Sequence, residues 1–579
     1  MFKFSNMFLA VAASTMMLSS CSSDEPATTQ VVPAEGGVYA TLTLQLPSRA
    51  NTVAGDENTN SDDGFEIGND SENNVGSVLV VIASKGTTGY SYVASNLADA
   101  HSATNTTTAR PTYNVQFETR DLYDFAGQEV YVFAYCNPSK TLVSTISGLS
   151  TSDSKAFTDL TGNITAHSIS TANGFFMSNA SVSAAVTLPT QQQMNETFNT
   201  PENPFSLGVV NVERATARFD FRETTIGNFA ANTYPIYNHN NSNLETSTPD
   251  GPVAFVELNG MALLNEAKEY YLLPRVSNNG LPTGDGFEIC GRETPLNYVI
   301  SANYALNGFD GKLTTDKLNE AFLYTGLAST SAIDFTTFQY EALGTNIGED
   351  DDNNWTDTSD SNFNKTGYMI WKYVTENTIP QLQMGDYNYM QRLGVTTGVV
   401  FRGQLHAADT NNELGQAITN GTNYLYAFNG VLYGDLAMLK KQVLANPVST
   451  LAEQFMTQFN ITEITEEAVN GVSDLTSTVA DGFAIYKPVN GKYYMYYAYK
   501  NRHFDNLNNT IMGPMEFGVV RNNIYKLSVS NILEFGHPGN PGDDPDPEDP
   551  DDPDETPKTY FRVQVKVLPW VVRVNNIIL

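Results

Sequence analysis

Apolar and polar residues alternate along much of this chain with a period of two, the signature of strands that bury one face. The alternation is sharpest at the two ends. Near the start, Ala40, Leu42, Leu44 and Leu46 alternate with Thr41, Thr43 and Gln45, which predicts a strand over 37–47. At the end, Phe561, Val563, Val565 and Val567 alternate with Arg562, Gln564 and Lys566. After Leu568 and Pro569 the phase flips, and Trp570, Val572 and Val574 share a face, as two short strands joined by a bulge or kink require. This terminal strand reads as one with no place in the domain before it, a plug for a groove elsewhere. The competing reading is a final strand that closes its own sheet.

Between the ends, the pattern predicts strands over 75–83, 113–118, 129–136, 174–177, 181–188 and 209–221, with hardly a helix among them. Gly, Ser and Asn clusters separate them, as in a Greek-key β-sandwich. A polar stretch over 237–251 suggests a boundary, beyond which further strands are predicted over 254–258, 270–273, 368–376, 395–405, 493–499 and 524–532. Helical periodicity appears over 315–324, 436–444 and 451–459, short enough to decorate a second sandwich. Residues 536–558 are rich in proline and aspartate, which favours an extended, solvated tether. Its 23 residues, at about 3.1 Å each if polyproline-like, reach roughly 70 Å.

Composition narrows the possibilities. The 579 residues suffice for two or three domains. The 31 Lys and Arg against 64 Asp and Glu leave a net charge of −33, which argues against nucleic acid and against docking on anionic lipid. Cys136 and Cys290 lie far apart and make neither a disulfide framework nor a zinc site; both read as buried strand residues. The six histidines stand apart, with no Ser/His/Asp or His-x-x-x-His arrangement. The acidic run 348–360 lacks the glycine and glutamate of an EF-hand and reads as a solvated loop. No cofactor, metal or catalytic residue is expected, and the chain does not read as an enzyme.

The N-terminus carries an address. Lys3, an apolar run to Leu18 and then Leu18-Ser19-Ser20-Cys21 look like a lipoprotein signal peptide over 1–20, with Cys21 as the lipidated residue. The run is too short to span a bilayer. Ser22-Ser23-Asp24-Glu25 resembles the acidic tract that sends Bacteroidetes lipoproteins to the outer face of the outer membrane. Arg49 and Ala50 stand between the first strand and a segment with little to bury, a place where proteases cut.

Several longer stretches resemble the fimbrillins of Bacteroidetes, and among them the stalk subunits of the short, minor fimbriae: "VNVERATARFDF" over 210–221, "GFFMSN" over 174–179, "VYVFAYCNP" over 130–138, "YVTENT" over 373–378, "TTGVVFRGQL" over 396–405, "GVVRNNIYKLSVSNI" over 518–532 and the terminal "VKVLPWVVRVNN". The resemblance implies a mainly β protein with two transthyretin-like β-sandwich domains, the second with short helical insertions. The expected order is signal peptide 1–20, propeptide 21–49, sandwiches over 50–225 and 226–535, tether 536–558 and donor strand 559–579. It also implies a lipoprotein precursor in the outer membrane, cut after Arg49 by a trypsin-like protease and polymerised head to tail in an extracellular fimbrium that serves adhesion and biofilm formation. The partners implied are other copies of the chain, anchor and tip subunits and the maturation protease. Burying Phe561, Val563, Val565 and Val567 in a partner's groove would contribute on the order of 6 to 12 kcal/mol before ordering costs. The alternative is a surface glycan-binding lipoprotein, which would leave the terminal strand unexplained.

Overall fold

The computed structural model describes residues 36–46, 70–87, 89–98, 111–151, 157–163, 170–171, 174–238, 251–283, 286–304, 320–323, 369–379, 382–384, 387–389, 395–428, 430–475, 483–504, 507–508, 513–538 and 561–569. Strand is the commonest state among them, well ahead of helix, and the protein is mainly β.

The first sheet is built from β1 (Gly37–Gln45), β2 (Val78–Gly86), β3 (Gly89–Ala98), β4 (Thr112–Glu118), β5 (Glu129–Cys136), β6 (Met177–Asn179) and β7 (Phe205–Arg214). Their order is β3-β2-β5-β6-β7-β1-β4, with Val186–Thr187 pairing onto β5 beside this path. The sheet curls until its ends meet, where Asn96 Nδ2 of β3 donates to the Gln116 carbonyl of β4 at 2.6 Å. Val78, Val80 and Ile82 point into the core inside the curl, while Leu79, Val81 and Ala83 enter a second core on the other face. Burial on both faces explains why β2 and β5 read as continuous apolar runs, whereas β1 alternates.

At Ala215, whose N–H donates to the Phe176 carbonyl at 3.1 Å, the chain leaves the first sheet. It continues as β8 (Thr216–Phe221), β9 (Thr233–Ile236), β10 (Ala254–Leu264), β11 (Met369–Thr375), β12 (Gly398–Ala407), β13 (Tyr494–Lys500), β14 (Asn523–Ile532) and β15 (Phe561–Pro569). Two four-stranded sheets result, β11-β8-β14-β15 and β9-β10-β12-β13. They share one core, in which Phe219, Tyr525 and Leu527 of one sheet meet Val256, Phe401 and Tyr497 of the other. Glu269–Tyr271 and Thr161–Asn163 pair as a separate two-stranded sheet.

Most of the predicted strands form within a few residues of their expected ends. The stretch read as one strand over 209–221 is two, because its halves serve different sheets. Of the strand read over 181–188, only Val186–Thr187 is paired; the Val132 N–H that a ladder would have used donates instead to Ser183 Oγ at 2.8 Å. A helix was not expected at Lys140–Ser147, yet Ser139 caps it by accepting from the Leu142 N–H at 3.1 Å. The helices over 436–444 and 451–459 form as Leu436–Ala445 and Thr450–Phe459, around a small core of their own with Leu439, Val443 and Phe455. Within the helix read over 315–324, Phe322–Leu323 is instead a strand paired with Glu266–Ala267, and 311–319 lie outside the described residues. The terminal strand does have a place in its own domain: β15 runs antiparallel along β14, from Phe561 opposite Ile532 to Pro569 opposite Asn523.

Candidate functional site

β1 lies inside the first sheet, parallel to β7 and antiparallel to β4. The side chains of Val38, Ala40, Leu42 and Leu44 are fully buried, and Leu46 packs half-buried against the same core. Their ladder partners on β4 include Phe117 opposite Val38, Val115 opposite Ala40 and Tyr113 opposite Leu42. Burial of Val38, Leu42 and Leu44 contributes roughly 5 to 9 kcal/mol at about 1.5 to 3 kcal/mol per side chain. Both ends of β1 are also fastened. The Gly36 carbonyl accepts from the Thr119 N–H at 3.0 Å and from Thr119 Oγ1 at 2.7 Å, and the Leu44 N–H donates to the Pro111 carbonyl at 2.9 Å. Taking β1 away would leave two unpaired ladders facing each other across an apolar slot.

β15 stands at the opposite extreme. Among the described residues it is the edge strand of its sheet, bonded to β14 alone, with a register shift between Val529 and Asn531. Pro569, which has no N–H to give, sits at its end, where an edge tolerates it. Phe561, Val563, Val565 and Val567 therefore fall in one strand as expected. Cys21, Arg49, Ala50, Trp570, Val572, Val574 and the acidic run 348–360 lie outside the described residues.

Cys136 and Cys290 are both free and buried, and burial pushes both thiols up. Cys136 closes β5 as expected, while Cys290 follows the short strand Glu288–Ile289 with a positive φ of 52°. Among the described residues no group of His, Cys, Asp and Glu could hold a metal ion, and no helix is long and apolar enough to cross a membrane.

Sequence reading missed a polar seam between the first sheet and the sandwich. Arg521 is held by Glu376 through Nε at 3.1 Å and Nη2 at 3.0 Å, and also donates to the Tyr271 carbonyl at 2.6 Å. Nearby Glu213, on β7, has its carboxyl pushed up to about 8 by burial, with Glu376 and Glu293 adding to the rise and Arg521 opposing it. His503 lies between Glu293 at 2.6 Å and Tyr525 at 2.8 Å. Apart from His503 and Tyr525, which are 22 positions apart, the bonded partners lie 145 to 250 positions apart, so spacing could not have found them. The one local signal is an Arg-x-Asp alternation, Arg218 and Asp220, set among Ala217, Phe219 and Phe221 of one strand.

Residues 491–576 match the model for the C-terminal region of fimbrillin, the major fimbrial subunit protein type IV, a stretch that contains β13, β14 and β15. This stretch is similar to a fimbrillin C-terminal region. Among solved structures, a fimbrilin, FimA, from Porphyromonas gingivalis is 13% identical with a TM-score of 0.36, the match covering 94% of this chain and all of that one (100%). A putative cell adhesion protein from Parabacteroides distasonis is 12% identical with a TM-score of 0.36, over 92% of this chain and 100% of that one. The tip fimbrial protein Mfa3 from Porphyromonas gingivalis, with a C-terminal truncation, is 9% identical with a TM-score of 0.29, over 92% and 100%. No curated protein matches the chain. The functional reading therefore stands on the fimbrillin match and on the placement of β1 and β15.

Proposed function

We propose that this protein is a structural subunit of a surface fimbria, of the minor-fimbria stalk type. In this reading it is exported as a lipoprotein through Cys21, cut after Arg49 and polymerised by strand exchange. The observation that carries the reading is the position of β1, an interior strand with fully buried side chains that ends just before the only Lys or Arg between Lys3 and Lys85. A cut after Arg49 separates the chain from its lipid and frees β1 from its covalent link to β2 without breaking any of its hydrogen bonds. β1 then stays in place until another strand displaces it.

The displacing strand is β15 of another copy. In the single chain β15 lies against β14, so donation costs one ladder, and it gains two when the strand enters the slot between β4 and β7 by β-strand addition. The tether over 536–558 gives it the reach. Because slot and donor strand are different surfaces of one chain, the joint is heterologous and extends into a filament instead of closing into a dimer. The precursor sits in the outer membrane by its lipid and the product in the extracellular fimbrium, alongside anchor and tip subunits, and the role is adhesive and structural with no catalysis.

The test is N-terminal sequencing and mass measurement of protein sheared from the cell surface. Chains beginning at Ala50 without lipid are expected, and an Arg49→Ala protein should remain a membrane-bound precursor. Lipidated, full-length chains inside sheared filaments would overturn the reading.

A further inference from the structure

The short turn Asp70–Asn73 and Asn74 lie where β1 would have left the chain, yet they are built deeply into the fold. The Glu72 side chain is fully buried. Its carboxylate accepts from Arg218 Nη1 at 3.0 and 3.3 Å and from Tyr373 Oη at 2.7 Å, and its backbone carbonyl accepts from Arg214 Nε at 3.0 Å. Asn73 Oδ1 accepts from Arg214 Nη2, and Arg214 Nη1 reaches Asn522 Oδ1 at 3.2 Å. Asp220 takes the remaining fork of Arg218 in two bonds of 2.8 Å. On the far side, Asn137 Nδ2 donates to the Asn74 carbonyl at 2.8 Å. Gly174 approaches so closely that a Cβ there would stand 2.2 Å from the same carbonyl oxygen.

Within this set two cations, Arg214 and Arg218, face two carboxylates, Glu72 and Asp220. A buried cluster of paired ions adds little stability over apolar packing of equal volume, but losing one member leaves an uncompensated charge. Its value lies in holding one arrangement. Arg214 ends β7 and Arg218 lies in β8, so the two arginines straddle Ala215, the single residue at which the chain passes from the first sheet to the sandwich. β7 is one wall of the β1 slot, and β8 is bonded to β14, which carries β15. Glu72 grips both sides of that pivot at once, with Tyr373 of β11 as a third point.

We infer that Glu72 is a positioning residue for assembly: it fixes the slot wall β7 relative to the sheet that bears β15, and so sets the turn from one subunit to the next in the filament. The inference rests on the strand-exchange reading. It also requires that the knot survive maturation. The 35 positions from Ala50 to Ser84 contain no Lys or Arg, so a trypsin-like cut leaves residues 70–74 in the mature chain, roughly 20 residues from its new end by simple counting along the sequence.

The experiment compares full-length wild type, Glu72→Gln and Tyr373→Phe after cleavage at Arg49. Uptake of a synthetic peptide of residues 559–579 reads the slot, hydrogen exchange at residues 70–82 and 369–375 reads the knot, and negative-stain microscopy reads filament straightness and axial repeat. The peptide should enter all three proteins within about twofold, since β1 pairs with residues 205–211 of β7 and Arg214 lies beyond that stretch. Exchange should rise at least tenfold in Glu72→Gln and less in Tyr373→Phe, and filaments should become irregular in the same order. Regular filaments from Glu72→Gln, with the knot open by exchange, would overturn the inference. If Glu72→Gln does not fold, the milder Tyr373→Phe decides on the same readouts. If the wild-type chain takes up no peptide, the strand-exchange reading itself fails and this inference falls with it.

Discussion

β1 and β15 have the same design in sequence, nine residues with apolar side chains at every second position, and opposite positions in the fold. β1 is bonded on both sides and fully buried along its inner face; among the described residues β15 is bonded on one side, at the edge of its sheet. The period-two pattern thus tells which face of a strand meets a core but not how many neighbours the strand has. In the proposed strand exchange, that difference gives the two strands different parts. An edge strand can peel away by giving up one ladder, whereas an interior strand leaves only when something takes its place in both.

Substitutions should expose this contrast in graded fashion. The largest effect is expected from Leu42→Asp, which puts a carboxylate into the slot core with no partner, at a cost of several kcal/mol or a raised pKa that keeps it neutral. The precursor should melt at least about 10 °C lower or fail to fold, as thermal denaturation would show. Val565→Asp in β15 should leave the monomer's melting temperature nearly unchanged while abolishing the oligomer ladder on an unboiled gel. If both substitutions destabilise the monomer equally, the contrast between the strands is lost.

A smaller effect should come from Glu213, on the slot wall but outside the β14–β15 edge. Its carboxyl is raised to about 8, chiefly by burial, so the folded state holds a proton that the unfolded chain releases near pH 4.5. Stability from this group is fully present below pH 4.5 and is lost as pH rises towards 8. Part of the side chain still meets solvent, which trims the expected loss to roughly 1 to 2 kcal/mol. Glu213→Gln should flatten the denaturant midpoint between pH 5 and 8; an unchanged pH profile would remove Glu213 from the account. The smallest effect is expected from Lys566→Asp, one residue from Val565 and on the other face of β15, which should change stability by less than about 0.5 kcal/mol and leave polymerisation intact. Loss of filaments there would mean that the two faces of β15 are not distinguished.

Much of this architecture can be read directly from side-chain order. β5 ends where its apolar run ends, and β1 begins at a glycine, both local features. What could not be read depends on contacts distant in sequence. Nothing in "VNVERATARFDF" announces that Ala215 changes sheets, because each half keeps a strand pattern; the break follows from what the halves pair with. Helix Lys140–Ser147 carries β-branched residues that favour strand, and it forms because Ser139 caps it and Ile146 packs against the first sheet. Phe561 to Pro569 fit either an empty groove or their own sheet equally well by pattern, and only the register with β14 tells where they rest in the single chain. The Glu72 knot joins residues 146 and 301 positions apart, beyond the range of any spacing rule.

The most direct test of strand donation is to delete Tyr560–Leu579 and follow the protein after cleavage at Arg49. The expected product is a folded, soluble monomer that gives no ladder on an unboiled gel and, added in excess to intact subunits, shortens their filaments in negative stain by capping one end. A truncated chain that polymerises normally, or that unfolds because β15 is indispensable to its own sheet, would contradict donation and leave β15 as the closing strand of the sandwich.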